Sequence, residues 1–154
     1  MKKILILVLV ALFLIPGISV QAEECTVPLE IKQLSEKIGQ EYNICPELLQ
    51  SMAWQESRFQ PDAENAGCKG LMQINDKWHK ERIARLGVTD IYNPEANMRV
   101  AADYLSELFK EYEDVGTVLM VYHGESGAVD KIELSYYADA ILTRSAELER
   151  IHGK

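Results

Sequence analysis

The sequence has no apolar run long enough to cross a bilayer. The longest, from Ile4 to Ile15, holds twelve residues, whereas a membrane-spanning helix needs roughly 20. Two lysines precede this run and the small-residue sequence Val20-Gln21-Ala22 follows it, a combination typical of a secretory signal. We therefore expect residues 1–22 to be removed on export, leaving a secreted chain with no stable membrane insertion. An uncleaved membrane anchor is the alternative.

Basic residues are also scarce. The chain has 16 Lys and Arg against 24 Asp and Glu, a formal charge of −8, and loss of the two lysines in the leader makes it −10. An acidic excess opposes binding to nucleic acid or to anionic lipid through bulk charge. We expect no nucleic-acid partner, whereas an uncharged or mixed-charge polymer is compatible with this charge.

Cysteine is rare as well, since only Cys25, Cys45 and Cys68 are present. In an oxidising compartment, three cysteines predict one disulfide and one remaining thiol. The pair Cys45 and Cys68 is the first choice, because both belong to the segment that flanks Glu56. Their spacing matches no zinc motif, and no His lies beside them at ligand spacing. We expect neither a metal nor an organic cofactor.

Alternation of apolar and polar residues with period two is missing over any useful length, so little or no sheet is expected. Apolar residues recur instead at helical spacing, and proline, asparagine or aspartate stands at several helix starts. The predicted helices run from Pro28 to Tyr42, Pro46 to Ser57, Asp76 to Leu86, Asn93 to Tyr112, Val115 to Tyr122 and Ser135 to Arg150. The fourth is predicted to bury Met98, Ala101, Ala102, Leu105, Leu108 and Phe109.

These elements predict one all-α domain. Removing residues 1–22 leaves 132 residues, which is enough for a single hydrophobic core. Residues 23–43 are expected to form an N-terminal helix that packs on a domain of residues 44–154. Residues 60–69 are polar and contain proline and glycine, which indicates a loop.

Glu56 is the most informative residue of the chain. It lies at the end of the second predicted helix, where the negative pole of the backbone dipole disfavours a carboxylate. Apolar neighbours that exclude water raise the pKa of a carboxyl group further. A protonated acid held in a cleft is the proton donor that cleavage of a glycosidic bond requires. A lone glutamate is most often a solvated surface charge, so this interpretation depends on the motifs around it.

Four motifs occur in a fixed order. They are Glu56-Ser57-Arg58-Phe59, Gly70-Leu71-Met72-Gln73-Ile74, Val121-Tyr122-His123-Gly124, and Glu133-Leu134-Ser135-Tyr136-Tyr137 with Ile141. Their order and spacing resemble the signature of the soluble lytic transglycosylase catalytic domain, in the lysozyme-like superfamily near the goose-type lysozymes. The resemblance spans Ile44 to Leu142. It implies a lysozyme-like helical fold with a substrate cleft, and peptidoglycan glycan strands as the substrate.

The resemblance implies that Glu56 is catalytic. It would protonate the oxygen between N-acetylmuramic acid and N-acetylglucosamine, and then, as a carboxylate, take a proton from the 6-hydroxyl of the muramic acid. That hydroxyl closes onto the anomeric carbon and leaves a 1,6-anhydro sugar, so one carboxyl group serves as acid and then base. We expect a monomeric lytic transglycosylase. The alternatives are a goose-type lysozyme-like hydrolase, with Asp62, Glu64 or Asp76 positioning water, and a non-catalytic peptidoglycan-binding module.

Four residues are expected to support catalysis. Ser57 is expected to hydrogen-bond the carboxyl group of Glu56. The amide of Gln73 has donors and an acceptor suited to an acetamido or peptide group. Tyr122 is expected to line the cleft and donate toward the substrate or Glu56. Tyr137 is expected to press its ring near the carboxyl group and exclude water from it.

Three more residues are expected to bind or border the substrate: Met72, Ile74 and His123. His123 stands where the family usually has asparagine. Neutral histidine presents one donor and one acceptor, so a sugar contact is retained, and its protonation near pH 6.5 adds a pH dependence. Tyr136 is predicted to point away from the cleft, because one helical residue is a rotation of about 100°. His79 and His152 have no partner pattern and are predicted at the surface.

Overall fold

The computed structural model describes residues 26–154, so the expected signal of residues 1–22 and Cys25 lie outside the described residues. The helices in this part are α1 Leu29–Tyr42, α2 Pro46–Ser57, α3 Lys80–Arg85, α4 Pro94–Glu111, α5 Val115–Tyr122 and α6 Tyr136–Ile151, with a short 3-10 helix at Ala128–Asp130. Three two-residue strands, β1 Glu64–Asn65, β2 Cys68–Lys69 and β3 Ile74–Asn75, form a small sheet in that order. The predicted all-α class with little sheet is confirmed.

The sheet is a small antiparallel structure between α2 and α3. Asn65 pairs with Cys68, and Cys68 pairs in turn with Asn75. Residues 60–69, predicted as a loop, therefore contain two short strands. Strands of two residues are too short to show alternation, so the sequence pattern could not reveal them.

The helix α2 is the centre of the fold. It packs against both α1 and α6, and the side chains of Leu49, Met52 and Ala53 are fully buried. Burial extends over most residues of α2 and is not limited to one apolar stripe, as expected for a helix that is covered on several sides. Glu56 lies in the last turn of this interior helix. None of the helices described is long and apolar enough to cross a membrane.

A buried carboxylate, Glu47, joins the start of α2 to the residues that follow α6. Its Oε1 contacts His152 Nδ1 and Lys154 Nζ, each at 2.8 Å, and its Oε2 accepts from Cys45 Sγ at 3.2 Å. Burial favours the neutral acid, but the hydrogen bonds from these donors outweigh it and lower the pKa of Glu47 to about 2. His152, predicted at the surface, is a partly buried partner in this network.

The predicted disulfide between Cys45 and Cys68 is wrong, because both thiols are free. Cys45 immediately precedes α2, whereas Cys68 lines the cleft beside Glu56, at the other end of that helix. The twelve residues of α2 span roughly 18 Å at the helical rise. The Cα atoms of a disulfide lie within about 7 Å of each other, so the helix keeps the two cysteines apart.

Asn97, in the first turn of α4, holds the turn that connects β2 to β3. Its Oδ1 accepts from the backbone N–H of Met72 at 2.7 Å, and its Nδ2 donates to the carbonyls of Lys69 at 2.9 Å and Ile91 at 2.8 Å. The approach is so close that a Cβ at Gly70 would lie 2.4 Å from this Nδ2, and Gly70 has a φ of +78°. Only glycine combines this backbone conformation with this contact.

Two helix predictions need correction. The segment from Asp76 to Leu86 is helical only over Lys80–Arg85, because the side chain of Asn75 accepts from the N–H groups of Lys77 and Trp78 and holds them in a turn. On α4, Phe109 is exposed, although the other five residues predicted on its inner face are buried.

We predict that Asn97→Ala lowers the free energy of unfolding by about 2–4 kcal/mol, because the N–H of Met72 and two carbonyls lose their buried partner. Asn93→Ala is the matched control. Asn93 caps the same helix with a single exposed hydrogen bond to the N–H of Ala96, whose loss costs about 1 kcal/mol. Urea denaturation of the three proteins measures both changes, and equal losses would contradict the role given to Asn97.

Candidate active site

A cleft of about 360 Å³ opens at the C-terminal end of α2, a size within the range of small-ligand sites. Its lining residues are Gln55, Glu56, Asn65, Ala66, Cys68, Gln73, Ile74, Asn75, Trp78, His79, Tyr122, His123 and Tyr137. The fold thus places five residues from the four sequence motifs in one cleft: Glu56, Gln73, Tyr122, His123 and Tyr137. Among residues 26–154, no group of three or more His, Cys, Asp or Glu side chains is placed to hold a metal ion.

The end of α2 sets the position of Glu56. Arg58 and Phe59 both adopt left-handed backbone conformations, with φ of 56° and 63°, and this change ends the helix at Ser57. Ser57 is buried, and its hydroxyl lies 3.1 Å from the carbonyl of Ala53 and 2.8 Å from that of Leu71. Ser57 therefore anchors the helix end to the Gly70–Met72 turn. This corrects the prediction that it donates to the carboxyl group of Glu56.

Tyr137, from α6, provides the hydrogen bond to Glu56. Its hydroxyl donates to Oε1 of Glu56, and its ring is buried with 7% exposure, whereas the adjacent Tyr136 is 85% exposed. The predicted orientation of the two tyrosines is confirmed. Burial raises the pKa of Glu56 above its ordinary value, although the hydrogen bond from Tyr137 and the charge of His123 oppose the rise.

Tyr122, at the end of α5, lines the cleft but has a different partner. Its hydroxyl donates to the carbonyl of Met72 at 2.9 Å, and not to Glu56, which was one of the two partners predicted for it. Burial, together with the nearby carboxyl group of Glu56, raises the pKa of Tyr122 well above its ordinary value. The phenol therefore stays neutral and helps to keep the cleft wall around Glu56 free of charge.

The ring of His123 stacks on the ring of Tyr137. The two rings are parallel, with centroids 4.0 Å apart and an angle of 4° between their planes. Nδ1 of His123 lies 3.3 Å from Oε1 of Glu125, and the side chain is 48% exposed. The residue that departs from the family pattern thus contacts the tyrosine that holds Glu56, while remaining open to the cleft.

Gln73 has a strained backbone, with a φ of 49°. Its Nε2 donates to the carbonyls of Gly70 at 3.0 Å and Ala63 at 3.2 Å. These bonds use the amide hydrogens, so the group that Gln73 offers to a ligand is its Oε1. The sequence predicted that Gln73 could both donate to and accept from a ligand, whereas in the structure it can only accept.

The two apolar residues beside Gln73 differ in position. Ile74 lines the cleft with 1% exposure, whereas the side chain of Met72 is fully buried in the core. Met72 therefore cannot contact a ligand with its side chain, which corrects its predicted role in substrate binding. Its contribution to the cleft is the carbonyl that receives the hydroxyl of Tyr122.

His79 is a lining residue that the sequence did not reveal. Its Nδ1 lies 2.7 Å from Nη1 of Arg82. Arginine can only donate, so in the neutral ring Nδ1 accepts and the proton is on Nε2. Burial lowers the pKa of His79, and the charge of Arg82 lowers it further. His79 is half-buried, which corrects the prediction that it lies at the surface. Its ring packs against Tyr104 of α4, a distant contact that no local pattern marks.

The fold and the sheltered carboxyl group together define a lysozyme-like helical domain with an acid in its cleft. The sequence model of the family described as "Transglycosylase SLT domain" matches residues 33–143. The chain therefore belongs to this family, which confirms the resemblance seen in the four motifs.

Individual relatives agree with this assignment. The chain is 36% identical over 85 residues to a transglycosylase of Enterobacteria phage PRD1, covering 54% of this chain and 31% of that protein. It is 32% identical over 117 residues to protein IpgF of Shigella flexneri, covering 71% and 76%. The chain thus spans about a third of the first relative and about three quarters of the second.

A solved structure has the same fold. An inactive mutant of the lytic transglycosylase Slt from Pseudomonas aeruginosa superimposes with a TM-score of 0.69 and 18% sequence identity, over 82% of this chain and 25% of that one. At this identity the likeness concerns the fold alone. It confirms the lysozyme-like architecture expected from the sequence.

We predict that Tyr137→Phe raises the pKa of Glu56 further. The substitution removes the hydrogen bond that stabilises the carboxylate and so opposes the effect of burial on this pKa. Carbon-13 NMR of the glutamate carboxyl groups, recorded across the acid range, measures this pKa. Tyr136→Phe is the matched control, since its exposed ring has no place in the cleft and should leave the titration unchanged. An unchanged or lower pKa in Tyr137→Phe would contradict the assignment.

Proposed function

We propose that the protein is a secreted lytic transglycosylase that cleaves the β-1,4 bond between N-acetylmuramic acid and N-acetylglucosamine in peptidoglycan and leaves 1,6-anhydromuramoyl ends. One observation carries the proposal: among the described residues, Glu56 is the one carboxyl group that lines the cleft. A single carboxyl group can act first as the acid and then as the base, provided that the attacking hydroxyl comes from the substrate itself.

The first step is proton donation. Burial raises the pKa of Glu56, so the acid keeps its proton closer to neutral pH than an exposed glutamate does. Tyr137 donates to Oε1, which leaves Oε2 to carry the proton toward the glycosidic oxygen. The C–O bond to the anomeric carbon breaks as that oxygen takes the proton, and the N-acetylglucosamine end leaves as an alcohol.

The second step reverses the role of the same group. Glu56 is now a carboxylate, and the hydrogen bond from Tyr137 and the charge of His123 stabilise it. It takes the proton from the 6-hydroxyl of the muramic acid while that oxygen forms a bond to the anomeric carbon. The acid is restored, and no water is consumed.

The hydrolase alternative needs a second group to position water, and the three candidates do not occupy the cleft. Asp62 is exposed. Glu64 accepts the hydroxyl of Tyr92 at 2.8 Å, and Asp76 pairs with Lys69 at 2.7 Å. None of the three is a lining residue, which favours the transglycosylase reaction.

The binding-module alternative does not account for the environment of Glu56. Removing a carboxyl group from water opposes its ionisation and costs stability where the group is charged. A site that only binds glycan does not need a buried carboxyl group, whereas a proton donor needs the raised pKa that burial produces. We further propose that the protein acts as a monomer at the cell wall, with the glycan strand as its partner.

We predict that digestion of purified peptidoglycan sacculi yields anhydromuramoyl products, and that Glu56→Gln lowers the rate by at least about 100-fold, because it removes the acid and base. Mass spectrometry of the released muropeptides distinguishes these products from reducing ends. Glu64→Gln is the control, since it removes an exposed carboxyl group outside the cleft and should retain activity. Reducing-end products would establish a hydrolase, and an inert parent protein would favour the binding module.

We predict that the protein expressed from Met1 in a bacterial host is exported and that the mature protein begins at Glu23, because the small-residue sequence before Glu23 matches what a signal peptidase recognises. N-terminal sequencing of the extracytoplasmic fraction checks the cleavage site. Recovery of the intact chain in the membrane fraction would support the uncleaved anchor instead.

A further inference from the structure

Trp78 is an unusual member of the cleft lining. It is 80% exposed although it is one of the largest apolar side chains in the protein, and it lies in the same cleft as Glu56. Other exposed apolar residues, such as Ile132 and Tyr136, are absent from that lining. Single exposed apolar residues are common at protein surfaces, so the place of Trp78 in the cleft is what distinguishes it.

The backbone that carries Trp78 is fixed. Oδ1 of Asn75 accepts from the N–H groups of Lys77 at 3.1 Å and Trp78 at 3.3 Å, and the carbonyl of Asn75 accepts from the N–H of His79 at 3.0 Å. Asn75 is itself held in the sheet, opposite Cys68. The turn therefore presents the indole from a defined position.

The residue after Trp78 anchors this turn to α4. The ring of His79 packs against that of Tyr104 with centroids 4.8 Å apart, and its Nδ1 accepts from Arg82. Arg82 is bound in turn by Asp103 at 2.8 Å, with both side chains largely buried. An exposed indole on a rigid support is pre-organised for a ligand, because little conformational entropy is lost when the ligand binds.

We propose that Trp78 is a stacking platform for a pyranose ring of the glycan, at a subsite next to the bond that is cleaved. This inference rests on the proposed function and adds a specificity-determining residue to it. One face of an N-acetylated β-linked sugar presents C–H groups, and a flat aromatic surface buries that face while the hydroxyl groups stay hydrated. An acidic or strongly polar ligand has no such face to offer.

The experiment measures binding without turnover. Glu56→Gln protein is titrated with the tetramer of β-1,4-linked N-acetylglucosamine by calorimetry, and the same titration is repeated after adding Trp78→Ala. We expect affinity to fall by about tenfold, the scale of one aromatic stacking contact. Tyr136→Ala in the same background is the matched control, because it removes an exposed aromatic ring outside the cleft and should leave affinity unchanged.

Tryptophan fluorescence supplies a second readout on the same proteins. The chain has two tryptophans, and Trp54 already packs against Phe59 between the guanidinium groups of Arg58 and Arg144. The exposed Trp78 should therefore produce the blue shift when the tetramer covers it. Trp78→Phe should abolish the shift while retaining most of the affinity, since a smaller aromatic ring is still available for stacking.

The outcomes separate this inference from the proposed reaction. Unchanged affinity in Trp78→Ala, or a blue shift that persists in Trp78→Phe, overturns the platform even if anhydromuramoyl products are formed. Loss of affinity in Trp78→Ala together with reducing-end products leaves the platform in place and overturns the transglycosylase reaction. Absence of tetramer binding to the Glu56→Gln protein overturns the platform directly.

Discussion

The cleft depends on one buried side chain, Asn97. Its hydrogen bonds with Met72 and Lys69 hold the Gly70–Met72 turn against α4, and a third bond reaches Ile91 in the loop before α4. The turn supplies the carbonyls that receive the hydroxyl groups of Ser57 and Tyr122. The end of α2 and the end of α5 are thereby fixed to the same piece of backbone. The turn thus links Glu56 and Tyr122, which lie on different helices, in addition to the packing of both helices against α6.

Two opposing effects set the pKa of the carboxyl group of Glu56. Burial raises its pKa, while the hydrogen bond from Tyr137 and the charge of His123 lower it. The result is a pKa above the ordinary value but below what burial alone would produce, as a group proposed to act first as acid and then as base requires. Glu47, at the start of the same helix, has the opposite outcome, because its donors outweigh burial.

The predictions succeeded where the signal was local. Helix starts with a proline or a capping side chain were correct at α2, α4, α5 and α6, and the choice of Tyr137 over Tyr136 was confirmed by burial. Errors arose where the deciding contact was distant or competed with a helix pattern. The side chain of Asn75 holds in a turn the residues predicted to begin the third helix. The two cysteines predicted to form a disulfide lie at opposite ends of α2.

The sequence by itself predicted the helical class, because apolar residues recur at helical spacing, and its four motifs predicted that Glu56 would share a cleft with Gln73, Tyr122 and Tyr137. The tertiary structure alone decided the partners of those residues. Ser57 bonds to Leu71 rather than Glu56, Gln73 turns its amide hydrogens inward, and His79 enters the cleft. The hydroxyl of Ser57 reaches a carbonyl fourteen residues further along the chain, and the ring of His79 packs against Tyr104 of α4. The geometry of such contacts follows from packing rather than from any local pattern.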